Sequence, residues 1–196
     1  MGVTQRLAEF VCELKYADLP QEVINKTKEL FLDQLGVQLA CSILPWSKVV
    51  YEYIRRNNGV KGETTIVNYG LKTIPEDACF VNASFGHGFE MDDLYVKGRN
   101  HPGCITVPVA FAVGERENIS GKDLILSIAA GYEVMARIGD ATQPGPLFHP
   151  TSAIGPFGAV ASACKVLKIH SVEVIRNALG IASSFVCHWR HLTLCL

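Results

Sequence analysis

Three carboxylates fall within four positions, Glu90, Asp92 and Asp93, and a flexible basic link leads from them to a histidine set in front of a proline, His101-Pro102. A second such pair, His149-Pro150, stands further along, with Thr151 and Ser152 directly after it. Acids and imidazoles gathered at helix ends are what proton transfer on an anionic substrate requires. On a helical backbone Glu90 and Asp93 share a face, and Asp92 points aside. Like charges this close disfavour joint ionisation, so one carboxyl holds its proton to higher pH and suits acid–base work. The competing interpretation is a solvated helix end, an ordinary place for Asp and Glu.

Proline drives the preceding residue out of the α region and is itself tolerated at the first helical position. His101 and His149 are therefore predicted just ahead of helix N-termini, where free backbone N–H groups and the helix dipole favour a carboxylate. The same field lowers the proton affinity of imidazole and favours its neutral form. Thr151 and Ser152 add hydroxyl donors beside His149. His87, His170, His188 and His191 are assigned no role beyond that of loop histidines. Support for a divalent metal is slight, because EF-hand spacing is absent and no His pair stands at i, i+4. The sequence has no nucleophile elbow, Walker loop or dinucleotide fingerprint.

These groups need elements to position them, and the apolar spacing supplies helices. Residues 3–15 form one, with Leu7, Phe10, Val11 and Leu14 on one side. Pro20 and Glu22 open the next, in which Ile24, Phe31, Leu35 and Leu39 recur at helical spacing. Residues 35–43 are apolar or small almost all round, which predicts a helix entering the core. Asp33, in that setting, is expected to make a structural hydrogen bond. A third helix runs from Pro45 to about Arg56. Residues 64–67 are the only β-like tract and are expected to be a short extended link.

Pro75 then opens a helix leading to the acids, and another follows His101-Pro102-Gly103 to about Arg116. Ser120 and Asp123 form a capping box for a helix that turns Leu124, Ile128, Tyr132 and Met135 inward. Residues 143–146 are a loop. The helix capped by Thr151-Ser152 runs to Leu167 and is packed with small residues, among them Gly155, Gly158, Ala161 and Ser162, a surface that lets another backbone come close. Ser171 caps a last helix, to about Ser184. No internal repeat interrupts the series, and the predicted class is all-α.

Composition narrows the functional classes. A net charge of −1 over 196 residues offers nothing to nucleic acid or an acidic membrane surface. With 48% hydrophobic residues a real core can form, yet no uninterrupted apolar run reaches the ~18 residues of a membrane span. The N-terminus lacks a basic-then-apolar signal pattern, and Arg6 breaks the myristoylation pattern. Seven irregularly spaced cysteines with no Cys-x-x-Cys point to free thiols rather than a disulfide framework or a zinc site.

Several segments, taken in order, closely resemble the MmgE/PrpD family, which includes 2-methylcitrate dehydratase and cis-aconitate decarboxylase. They are Leu32-Asp-Gln-Leu-Gly-Val-Gln-Leu-Ala40, Asn82-Ala-Ser-Phe-Gly-His-Gly-Phe-Glu-Met-Asp-Asp93, His101-Pro-Gly103, Gly131-Tyr-Glu-Val-Met-Ala-Arg137 and Phe148-His-Pro-Thr-Ser152. The likeness runs from about Leu7 to Ser184. It implies a helical domain, a homodimer, and lyase chemistry on small polycarboxylates with neither cofactor nor metal. It assigns catalysis to Asp92, Asp93, His101 and His149, and substrate binding to Glu90, Thr151 and Ser152. One of Asp92, Asp93 or His101 would remove a proton α to a carboxylate, and His149 would protonate the departing hydroxyl or bind a carboxylate.

Three departures from the family pattern stand out. Glu90 replaces a frequent aspartate, and Leu94 stands where some relatives carry threonine. The family's lid domain and a lysine soon after Ser184 are missing, and no lysine follows Lys168. The resemblance thus divides the chain into an incomplete helical domain, 1–184, and a divergent tail, 185–196. The expected function is a lyase of the 2-methylcitrate dehydratase kind, with cis-aconitate decarboxylase as the alternative. A truncated, inactive isoform that acts as an oligomerisation partner is the alternative outside catalysis. Relatives of this kind place the protein inside the cell, in cytosol or mitochondrion.

Overall fold

The predicted helical series is present in the computed structural model, which describes residues 2–57, 62–142 and 149–186. Among these, eight α-helices follow one another: α1 (Val3–Glu13), α2 (Gln21–Cys41), α3 (Pro45–Asn57), α4 (Pro75–Gly86), α5 (Gly103–Glu117), α6 (Gly121–Thr142), α7 (Pro150–Val166) and α8 (Val172–Ala182). The predicted starts hold for local reasons. Pro75 and Pro150 occupy first helical positions, so α7 begins directly after His149 and the expected cap, Thr151-Ser152, lies inside its first turn instead. Ser120 and Asp123 cap α6 reciprocally, the Asp123 N–H donating to the Ser120 hydroxyl at 3.2 Å. The Ser171 hydroxyl accepts from the Val174 N–H at 3.3 Å at the start of α8. None of these helices is long and apolar enough to cross a membrane. The predicted loop 143–146 and the tail beyond 186 lie outside the described residues.

The core is built around α5, α6 and α7. Ala8 and Val11 of α1 pack with Val134, Ala161, Cys164, Ile175 and Leu179, joining α6, α7 and α8. A second cluster, with Ile54, Ala78, Val81, Phe85 and Ala112, joins α3, α4 and α5. A third, with Val107, Ala110, Ile128 and Val166, closes the middle. The small-residue surface of α7 does what its composition predicts, because it crosses α6 at glycines. A Cβ on Gly131 would come within 2.6 Å of Thr106 and 3.0 Å of the Gly158 carbonyl, and one on Gly158 would run into Met135. At the same crossing the Ser162 hydroxyl donates to the Ser127 carbonyl at 3.0 Å.

Three expectations need correction. Residues 64 and 65 do pair, forming β1 (Thr64–Thr65) against β2 (Lys72–Thr73) in an antiparallel two-stranded ladder. The pairing is held by Glu115 of α5, which accepts from the Thr65 N–H and hydroxyl at 2.6 Å and from Lys72. That anchor lies 50 residues from Thr65, so local pattern could not reveal it. Second, α2 does not enter the core all round. Leu39 and Ile43 are exposed with Leu32, while the buried face carries Gln34 and Gln38. Third, Asp33 is exposed and its neighbour Gln34 is the buried polar residue.

Candidate active site

Three chain ends meet at the site, and each has a local cause. Helix α4 stops at Gly86, with His87 as its C-cap. The chain then turns through Glu90, whose φ of +54° lies in the left-handed region. The acids therefore lie on a loop and not on a helix, so the predicted sharing of a face by Glu90 and Asp93 does not occur. Trp46 of α3 pins this loop, its indole N–H donating to the Gly88 carbonyl at 2.8 Å. The basic link beyond it is closed, not loose. Tyr95 and Asn100 form a β-bridge, and Asp140 at the end of α6 accepts from Tyr95 at 2.9 Å and Lys97 at 2.6 Å.

Both histidine–proline pairs behave as their backbone chemistry requires. His101 lies just before Pro102, the N-cap of α5, and His149 is the extended N-cap of α7. Thr151 ties the two turns together, its hydroxyl accepting from the His101 N–H at 3.0 Å. Ser152 donates its hydroxyl to the His149 carbonyl at 2.9 Å. Both hydroxyls are thus engaged with backbone.

The predicted histidines converge through His87, a residue to which the sequence assigns no role. The His87 ring lies 4.7 Å from that of His101 and 5.8 Å from that of His149, centroid to centroid. Beneath them lies Asp92, whose side chain is fully buried. His87 Nδ1 contacts both Asp92 oxygens, at 3.0 and 3.1 Å, and His101 Nδ1 lies 3.5 Å from Oδ2. A buried carboxylate needs such partners, since an unpaired charge there would be costly. The hydrogen bond to Asp92 raises the proton affinity of His87 against the opposing effect of burial. Glu90 is exposed above the rings, 3.5 Å from His87 Nε2 and 3.8 Å from His101 Nε2.

Asp93 faces another wall. Its Oδ1 accepts from the Gly103 N–H at 3.0 Å, at the N-terminus of α5. Burial pushes its carboxyl up to about 6, opposed by Tyr132 and the Gly103 N–H and reinforced by the charges of Asp92 and Asp33. The Tyr132 hydroxyl is buried against Asp93, short of a well-formed hydrogen bond yet near enough to favour the charged carboxylate. Gly103 must lack a side chain, because a Cβ there would overlap the Asp93 carboxylate and approach the Gln34 carbonyl oxygen at 3.1 Å. Both ends of the buried Gln34 amide are unpartnered. Asp93 and Tyr132 also line a groove of about 450 Å³ between α2 and α6, with Lys26, Thr27 and Tyr95 among its walls.

The fold thus brings Asp92, Glu90, His101, His149 and Thr151 together around His87 and sets Asp93 on a neighbouring wall with Tyr132 and Gln34; His87, Gln34 and Tyr132 are not marked out by the sequence. Tyr132 reads as an ordinary inward position on α6. Gln34 carries one available signal, a polar residue at the start of an apolar run. His87 has none that is local, since its meaning depends on the turn that returns Asp92 to it. His170 is exposed and away from the cluster; His188 and His191 lie outside the described residues.

Comparison with known proteins identifies the family. The chain is 29% identical over 192 residues to the cis-aconitate decarboxylase-like protein oryM of Aspergillus oryzae, covering 92% of this chain and 39% of that protein. It is 29% identical over 196 residues to the cis-aconitate decarboxylase of Aspergillus terreus, covering 95% and 39%. Against the cis-aconitate decarboxylase of Mus musculus it is 30% identical over 191 residues, covering 93% and 39%. The chain thus spans about two-fifths of the length of the curated relatives it matches. Residues 5–191 match the MmgE/PrpD N-terminal domain, and the chain belongs to the MmgE/PrpD family.

Proposed function

We propose that this chain carries the acid–base site of a lyase that acts on a small polycarboxylate without a cofactor. The observation that carries this is the meeting of His87, His101 and His149 over buried Asp92, at the N-termini of α5 and α7. Substrate carboxylates fit the positive helix ends and the protonated form of His87. Asp92 has no exposed side chain and so acts through the imidazoles it holds. Glu90 and Thr151 stand at the mouth and the floor of the same place.

Names of the relatives make cis-aconitate the first substrate to test. In that reaction the C–C bond to one carboxylate breaks, its electron pair stays on the allylic carbanion, carbon dioxide leaves, and an imidazolium or the Asp93 carboxyl returns a proton to carbon. Dehydration of 2-methylcitrate uses the same groups differently, with a base taking the α-proton and an acid protonating the departing hydroxyl. Purified chain incubated with each compound and followed by proton NMR distinguishes them by product. A chain folded by circular dichroism that turns over neither removes the catalytic reading.

A second reading rests on a different observation. Leu32, Leu39 and Ile43 of the α2 segment and Trp46, Val49 and Tyr53 of α3 leave apolar side chains exposed, and exposed apolar surface of this kind favours association. Such a chain would act as a helical partner, in a homodimer or with a longer relative, inside the cytosol or mitochondrion. The free state of Cys12, Cys41, Cys79, Cys104 and Cys164 supports a reducing compartment.

A further inference from the structure

Three groups at the mouth of the site have the chemistry and spacing of metal ligands. His87, Glu90 and His101 each offer one ligand atom, and these lie within 4.8 Å of one another. The Glu90 oxygens stand 3.5 Å from His87 Nε2 and 3.8 Å from His101 Nε2. Donors about 2.1 Å from a tetrahedral ion lie about 3.4 Å apart, so the most widely separated pair must close by up to about 1.4 Å. Glu90 is exposed, so its carboxylate can follow the imidazoles as they close.

The shell behind these atoms is already built. Asp92 accepts from His87 Nδ1 at 3.0 Å, which puts the ring proton on Nδ1 and turns the Nε2 lone pair outward. The same carboxylate lies 3.5 Å from His101 Nδ1, a buried nitrogen with no hydrogen-bond partner. Ligation at Nε2 strengthens Nδ1–H as a donor, so a bound cation would draw His101 onto Asp92. One buried carboxylate thus orients two imidazoles toward the same exposed carboxylate. In a second cluster, His87, Asp92 and Cys104, the acid and the thiol are buried, and the Cys104 thiol already donates to the His101 carbonyl at 3.2 Å.

We infer that His87, Glu90 and His101 bind one divalent transition-metal ion, Zn²⁺ foremost, and that the ion blocks the site. Two imidazoles and one carboxylate suit zinc and its neighbours and disfavour magnesium or calcium, which take oxygen ligands. Ligation occupies both Nε2 atoms and withdraws them from proton transfer. The blocking half of this inference rests on the lyase function proposed above; the binding half does not.

Co²⁺ titrated into tag-free chain should give visible d–d bands that saturate at one equivalent and that Zn²⁺ displaces. E90Q should weaken binding at least tenfold, H87A should abolish the bands, and C104S should leave them unchanged, with helicity of each checked by circular dichroism. Absence of the bands, or bands that survive H87A and E90Q, overturns the site. If the chain is an active lyase, Zn²⁺ should stop turnover in the parent over the same concentration range in which it displaces Co²⁺, and a chelator should restore it; turnover insensitive to Zn²⁺ overturns the blocking. Bands that behave as expected in a chain without turnover support the metal site while removing the catalytic reading.

Discussion

Asp92 and Asp93 are adjacent in sequence and divide the polar interior between them, one under the imidazoles and the other at the α5 N-terminus against Tyr132. Burial raises Asp93 from 3.8 to about 6, so the folded chain holds this proton more tightly than the unfolded chain does. The stability linked to it is fully present below about 3.8 and is lost as pH rises through about 6, a difference of roughly 3 kcal/mol at most. D93N keeps the oxygen that accepts from Gly103 and carries no charge. It should be more stable than the parent at pH 8 by about 1–3 kcal/mol, with the gain nearly gone at pH 4. Urea unfolding at both pH values measures this, and an equal gain at each would assign the effect to something other than the proton. Gln34 offers a second test. Its unpartnered buried amide costs stability, so Q34L should raise the unfolding free energy by about 1–2 kcal/mol. Retention of such a residue beside Asp93 is expected where function outweighs stability, and Q34L should lower any turnover that is found.

Two glycines in helices make opposite predictions at the level of elements. Gly131 lies where α6 meets α7, and a methyl group there has no room. G131A should destabilise the fold by about 1–3 kcal/mol, as overpacking does. Gly36 lies in α2 with nothing within 4 Å of a Cβ, so G36A should stabilise by up to about 1 kcal/mol through helix propensity alone. Thermal melts of the pair provide the comparison, and a destabilised G36A would mean that α2 is strained in a way its surroundings do not show. The acid loop teaches the complementary lesson. Its acids read as a helical triplet, yet α4 ends at Gly86 and Glu90 adopts a left-handed backbone, so Asp92 turns inward instead of aside.

Among the described residues, exposed apolar side chains recur on α2, on α3 and in the turn between them, at Leu32, Ile43, Val49 and Tyr53 among others. Burying such side chains contributes about 1.5–3 kcal/mol each, enough to drive association when several act together. The parent should sediment as a dimer or larger species at micromolar concentration, and the double variant L32E/I43E should shift it toward monomer with unchanged helicity. A parent that is already monomeric would remove the interface. Whole-molecule packing also separates what was legible from what was not. Caps at Ser120 and Ser171, the helix starts at Pro75 and Pro150, the positions of His101 and His149 before their helices, and the close-approach surface of α7 could all be read from the chain. Each depends on backbone geometry or side-chain size within a few residues, and on that scale sequence determines structure. Which face of α2 is covered, which of six histidines meet, and which acid is sealed depend on contacts between segments far apart in the chain, such as Thr151 with His101 or Glu115 with Thr65. Those were decided only by the tertiary structure, because a side chain's solvation and partners are set by whatever the rest of the fold brings against it.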